Sequence, residues 1–463
     1  MRLLLMLLMC ALSLTAHAQG SQPVSSTSAP DHFGFGAEMM TLKNGLQVVV
    51  IPNHRVPVVT HMVWYKVGGA DEAMGQSGSA HYLEHLMFKG TQTQAPGEFS
   101  KMVKTLGGND NAFTGHDYTA YFQSISAEHL EKLMAMEADR MTGLSPPESH
   151  FESEKKVVIE ERRQRTDNDP RNVFGEQMHS ALFVNHPYGR PIIGWMDEMN
   201  RYQWPDIKKF YDTWYAPNNA VVVISGDVTL DSIRDMVKRT YGAVPSKSVP
   251  MRTRPTVPPA NGMTSLTLRD KSVEQPSVEM LMIAPSFRQN KKEALALQLL
   301  ENIMDGGAAT RLYKNLVVDQ KKAVTINFGY QGMAYDYGFL SLSATPAEGV
   351  ALDDLVQLLQ NQFRQVISSG ITQQELDEAV SRLQDSAIFA RDSVAGPAML
   401  FGQALTTGSS VADLENWHRD IEKITTDDII HVARIYANPD QFYIRPPVIG
   451  YLLPLEETPE KTP

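Results

Sequence analysis

The segment His81-Tyr82-Leu83-Glu84-His85 puts two imidazoles and a carboxylate within five residues. On a helix, at about 100° per residue, the two histidines stand about 40° apart and Glu84 lies about 60° to the other side of His81. Two imidazole nitrogens one turn apart can grip a single zinc ion. A carboxylate beside them can take a proton from an attacking water without binding the metal itself. Ser77 or Ser79 can cap such a helix and Gly90 can end it, while Leu83, Leu86 and Met87 supply an apolar side. A structural zinc would favour cysteine and four protein ligands. A catalytic zinc needs a third protein ligand and keeps one position open. Residues 152–162 read as a long charged helix on which Glu154 and Glu161, seven apart, share a face to within about 20°. One of them can bind zinc while the other orients a histidine, and spacing alone leaves open which. Glu160, about 100° round the same helix, reads as a solvated charge.

Two units of similar pattern must position these residues. In the first, residues 37–247, the alternating stretch Thr119–Ile125 reads as a strand and Glu128–Met141 as a helix. The charged helix follows, opened by Ser145-Pro146, then a helix at Asp206–Trp214, a turn through Pro217-Asn218-Asn219 and an apolar strand at Ala220–Ser225. Four prolines between Pro250 and Pro259 mark residues 248–263 as an exposed linker. The second unit, 264–446, repeats the order: strand Phe339–Ala344, helices Leu352–Ser368, Thr372–Arg391 and Asp427–Ile435, and a strand at Phe442–Ile444. Residues 447–463 read as a tail. This parallel predicts an α+β fold of two homologous domains, each a mostly antiparallel sheet covered by helices.

The bulk composition narrows the setting. The chain has 463 residues, 42% hydrophobic and 21% charged, a soluble globular balance. Met1-Arg2, an apolar run from Leu3 to Ala16 and the close Ala16-His17-Ala18 predict a secretory signal peptide at 1–18. The run is short for a retained membrane span. Cys10 is not preceded by the small residue a lipoprotein site needs, so that reading is set aside. Residues 19–36, rich in Ser, Pro, Ala and Gly, read as a flexible leader. Cys10 is the only cysteine, so the mature chain has no disulfide framework. The net charge of −11, becoming −12 without Arg2, argues against a nucleic-acid partner.

The motif and its surroundings resemble the inverzincin peptidases: pitrilysin, insulysin and the mitochondrial processing peptidase family. The resemblance covers nearly the whole mature chain. It includes Leu42-x-Asn44-Gly45-Leu46, Gly68-Gly69, Gly107-Gly108-x-x-Asn111-Ala112-x-Thr114 with Asp117, Thr119 and Tyr121, and Trp214-Tyr215-x-Pro217-Asn218-Asn219. It implies one zinc per chain, held by His81, His85 and Glu161, with Glu84 as general base and Glu154 as the supporting partner. It also implies a peptide substrate added to a sheet edge, which makes Asn111, Ala112, Tyr121 and Phe122 candidate contacts. One departure is informative. Active single-chain members carry an Arg and a Tyr seven apart in a later domain, and alignment puts Val317 and Val324 there. Neither can donate a hydrogen bond. Arg311 and Tyr313 are nearby at the wrong spacing. The resemblance thus implies a periplasmic, half-size bacterial member whose homologous partner subunit supplies the pair. The alternative is a non-catalytic assembly subunit with the same fold.

Overall fold

The computed structural model describes residues 34–455. The signal peptide expected at 1–18, the leader as far as residue 33, and residues 456–463 lie outside the described residues. Among the described residues no helix is long and apolar enough to cross a membrane.

The first half contains strands β1 (Glu38–Thr41), β2 (Gln47–Pro52), β3 (Val58–Tyr65), β4 (Asn109–Thr114), β5 (Thr119–Ser126) and β6 (Ala220–Gly226). They form one sheet in the order β1-β2-β6-β3-β5-β4, antiparallel except where β2 lies parallel to β6. β6, Ala-Val-Val-Val-Ile-Ser-Gly, is buried along its whole length. An unbroken apolar run suits a central strand covered on both faces. The longer helices are α1 (Ser79–Leu86), α2 (Glu98–Thr105), α3 (Leu130–Gly143), α4 (Glu148–Arg162), α5 (Pro170–Leu182), α6 (Trp204–Trp214) and α7 (Leu230–Thr240).

The second half repeats the plan. Strands β7 (Thr264–Asp270) and β8 (Ser277–Pro285) precede helix α8 (Lys291–Asp305), and β9 (Ala323–Gln331) and β10 (Tyr337–Pro346) follow. Helices α9 (Leu352–Ser369), α10 (Gln373–Asp392), α11 (Ala395–Thr406) and α12 (Thr426–Tyr436) lead to the closing strand β11 (Val448–Pro454). The sheet order is β7-β11-β8-β10-β9, with β7 and β11 parallel and the other pairs antiparallel. Strand for strand, this is β2-β6-β3-β5-β4 again. The fold is α+β, with two sheets of one topology.

Two expectations need correction. Phe442–Ile444 is not a strand; β11 begins at Val448, so residues read as tail belong to the second sheet. Pro446 and Pro447 have no N–H to give a ladder, and pairing starts only after them. Nor is the proline-rich linker wholly exposed. Arg252, Arg254 and Val257 turn inward while Met251, Thr253 and Pro255 face out.

Each half covers its own sheet on one face and borrows a helix for the other. α1, α3, α6 and α7 pack on the inner face of the first sheet around Val63, Tyr65, Val222 and Ile224. The outer face, with Val49, Met62, Trp64, Val221 and Val223, is covered by Ala398, Phe401 and Leu405 of α11, from the second half. In return, Phe174, Met178 and Leu182 of α5 cover Leu281, Ile283, Val448 and Leu452 of the second sheet. Two glycines permit this exchange. A Cβ on Gly402 would run into the indole of Trp64, and one on Gly450 into Met178 and Phe174. Gly402→Ala is therefore expected to destabilise the whole chain by about 1–3 kcal/mol through overpacking, seen as a lower denaturant midpoint.

Candidate metal centre

Helix α1 starts where the chain must be glycine. Gly78, at its N-cap, has φ of 85°, and a Cβ there would strike the backbone of Ile193 and Gly194. Neither serine caps the helix: the Ser79 hydroxyl donates to the Gln76 carbonyl, and the Ser77 hydroxyl accepts from the Trp195 N–H. The cap comes from outside the helix. The buried Glu72 carboxylate accepts the N–H groups of Gly78 and Ala80 at 3.0 and 2.8 Å. Burial pushes Glu72 up to about 8 against those donors and Arg190. The helix ends at Leu86, short of Gly90, and buries Leu83, Leu86 and Met87.

α1 and α4 lie side by side, so the two motifs meet. The His81 and His85 rings stand 4.9 Å apart between centroids. Glu161 Oε2 lies 3.2 Å from His85 Nε2 and 3.8 Å from His81 Nε2. One ligand atom from each of the three lies within 4.8 Å of the others. On the far side of the ring, His85 Nδ1 is 2.9 Å from Glu154 Oε1, and Lys89 Nζ holds Glu154 Oε2 at 2.7 Å. Glu160 is exposed and pairs with Arg163.

Charge at the site is lopsided. Burial alone would lower His85, but its bonds to Glu154 and Glu161 win and raise it to about 9. His81, desolvated and beside His85, falls to about 4. Burial opposes the charge of Glu154 and Glu161, yet the bonds to His85, with Lys89 on one and His81 and Arg165 on the other, hold both below the usual carboxylate range. The point between the three side chains thus draws positive charge: a proton without metal, a cation in its presence. Two imidazole nitrogens and one carboxylate oxygen are donors that zinc accepts, so the residues fit the metal. Glu84 stands apart from this triad. Burial drives it up to about 7, while the Thr114 hydroxyl, donating at 2.6 Å, pulls the other way.

Residues 47–195 match the model of the insulinase family, peptidase family M16, and residues 204–383 match that of the M16 inactive domain. The zinc protease PqqE of Helicobacter pylori is 32% identical over 409 residues, 87% of this chain and 91% of that protein. This chain belongs to peptidase family M16. An uncharacterised zinc protease of Mycobacterium leprae is 28% identical, covering 86% of this chain and 88% of its own. Among solved structures, a protease from Helicobacter pylori superimposes with a TM-score of 0.81 at 30% identity, over 90% of this chain and 99% of that one. The periplasmic protease PqqL from Escherichia coli shares the fold at 18% identity and a TM-score of 0.75, over 90% of this chain but 47% of the PqqL chain.

In this M16 chain the sheet edge nearest the site is β4, which carries Asn111 and Ala112. Asn111 is exposed, and its side-chain oxygen accepts the Ala112 N–H at 2.9 Å. The strand with Tyr121 and Phe122 lies inside the sheet, between β3 and β4, rather than at its edge. Tyr121 is buried, with its hydroxyl 2.9 Å from that of Tyr215 and the Arg140 guanidinium over its ring. Phe122 is half-buried on the opposite face, near Phe113. Val317 packs on the second core and Val324 is exposed. Arg311 is occupied by Glu375 and the Gly370 carbonyl.

Four residues at the site had no role assigned from the sequence: Glu72, Lys89, Thr114 and Arg165. Lys89 and Arg165 stand four residues beyond His85 and Glu161, a helical spacing that could have flagged them. Thr114 and Glu72 meet α1 only through tertiary folding. Glu72→Ala strands two buried N–H groups at the start of the helix that carries both histidines. It is expected to cost about 1–3 kcal/mol per stranded group in denaturant unfolding, and to weaken zinc uptake in a chelator competition.

Proposed function

We propose that this chain is a zinc-dependent metalloendopeptidase, hydrolysing peptide bonds in short or unfolded polypeptides. The observation that carries the reading is the meeting of His81, His85 and Glu161 at one point, with the separately held carboxylate of Glu84 close by. The names of the relatives, zinc proteases, support it.

His81 Nε2, His85 Nε2 and Glu161 Oε2 would hold the metal, one per chain. Zinc, when bound, activates water and polarises a carbonyl group. The protein's own part is proton handling and alignment. Glu84, raised to about 7, is poised to take a proton from water and return it to the leaving amine near neutral pH. Thr114 fixes the Glu84 carboxylate and sits on β4 itself, so the base and the strand edge are held in one frame. An extended peptide pairing with β4 beside Asn111 and Ala112 would lie across that frame. Glu154, locked by Lys89, keeps the His85 ring turned so that Nε2 faces Glu161.

The reading extends to a two-chain chamber in which this chain bears the motif and its second half is catalytically silent. Val317 and Val324 offer no donor where family members have an Arg and a Tyr, so a homologous partner subunit would bring them. The match to about half of the PqqL chain supports a two-half assembly. The leader pattern at 1–18 supports export to the periplasm. The missing pair also favours a second reading, a non-catalytic assembly subunit.

The test is zinc content and turnover of an internally quenched peptide by the purified chain, alone and with proteins that co-purify from the cell envelope. Glu84→Gln is expected to keep one zinc per chain and lose turnover by at least about a hundredfold. His81→Ala is expected to lose both. Zinc-loaded protein without turnover in any combination supports the assembly subunit instead.

A further inference from the structure

Helix α4 does not stop after Glu161. It widens into a single π-turn, Arg163–Asp167, a form of helix frequently met at functional sites. The last residue of α4 is fixed: the Arg162 guanidinium holds both oxygens of Glu176 at 2.9 and 3.0 Å and the Gly194 carbonyl at 2.8 Å. From that anchored base the turn carries Arg165 back over the site, where Nη1 lies 2.7 Å from Glu161 Oε1.

The two oxygens of Glu161 are therefore divided. Oε2 faces both imidazoles at 3.2 and 3.8 Å, and Oε1 is taken by Arg165. The Arg165 side chain is 64% exposed, so it fills no place in the core. An exposed ion pair four residues apart on a helix contributes little stability. Its position has a chemical consequence all the same. A carboxylate with one oxygen reserved can offer only the other to a metal, and a guanidinium on that oxygen draws charge from the group. Glu154 is handled in the same way, with Lys89 on the oxygen that His85 does not use.

We propose that Arg165 is a positioning residue that reserves Oε1 of Glu161, so that the carboxylate presents Oε2 alone to the zinc site and leaves the remaining side clear for water and the peptide carbonyl. This rests on the zinc peptidase reading above. Without Arg165 both oxygens are free to turn inward, and the group becomes a more basic donor. Zinc is then held as tightly or more tightly, while turnover slows. A merely structural role predicts the reverse pattern, in which zinc affinity and turnover fall together.

The experiment compares the full-length, zinc-loaded wild type with Arg165→Gln and Arg165→Lys. Zinc affinity is measured by chelator competition with the metal alone, and kcat and KM with a quenched peptide in whichever preparation is active. The expected result for R165Q is zinc affinity equal to or above wild type, kcat lower by more than about tenfold and KM within about twofold. R165K, which can still place a cation on Oε1, recovers most of the loss. Three results overturn the proposal: R165Q turning over like wild type, zinc affinity dropping together with kcat, or a rise in KM with kcat unchanged, which would make Arg165 a substrate contact. A wild type that takes up no zinc, or an E84Q variant as active as wild type, removes the zinc peptidase reading and this proposal with it. Failure of R165Q alone leaves that reading standing.

Discussion

The centre depends on one arrangement: the His85 ring is held through both nitrogens by two carboxylates of a single helix. Glu154 takes Nδ1 at 2.9 Å and Glu161 faces Nε2 at 3.2 Å. Each carboxylate is in turn steadied by a cation, Lys89 for Glu154 and Arg165 for Glu161. The ring can neither flip nor tilt without breaking two charged contacts. His81 is different. Its Nδ1 is buried with no hydrogen-bond partner among the described residues, and burial leaves the ring neutral. A neutral imidazole beside an anchored one, with an acidic oxygen between them, is a ready metal-binding pair.

That arrangement survives only if α1 and α4 keep their distance, and the second half contributes to this. Arg254 of the linker bonds Asp71 at 2.8 Å, Asp117 at 2.5 Å and Asp336 of the second half at 3.0 Å. Asp71 precedes Glu72, which caps α1, and Asp117 follows Thr114, which holds Glu84. The pieces that set the histidine helix and the Glu84 carboxylate are thus tied to the far domain through one buried guanidinium. Paired buried charges of this kind are weak evidence of net stability, but breaking one leaves the others uncompensated. The exchange of α5 and α11 between the two sheets works in the same direction, since neither sheet is fully covered by its own half.

A repeated topology with one motif-bearing copy explains much of the chain's asymmetry. In the second half the counterpart of α1 is α8, which is longer and buries Leu295, Leu299, Leu300 and Ile303. Its surface is given to packing rather than ligands. The first half spends the corresponding helix on His81, Glu84 and His85, and recovers stability from Tyr82, which stacks on Tyr202 and donates to the Phe151 carbonyl at 2.5 Å.

Much of this was legible in the sequence, because it rests on short-range periodicity. His81, Glu84 and His85 belong to one turn of helix, and Glu154 and Glu161 to one helix face, so backbone geometry alone sets their spacing. The duplicated order of strands and helices is equally local. What the sequence left open was everything that needed two distant segments to meet. Spacing left two candidates on α4 for the third donor, and only the packing of α1 against α4 put Glu161 Oε2 between the imidazoles and Glu154 behind the ring. The cap of α1 came from Glu72 rather than either serine. The strand edge proved to be β4 rather than the strand through Tyr121. The second sheet closed with Val448–Pro454, because two prolines barred an earlier start. Periodicity along a chain reports which face a residue shares, but not which other face will be pressed against it.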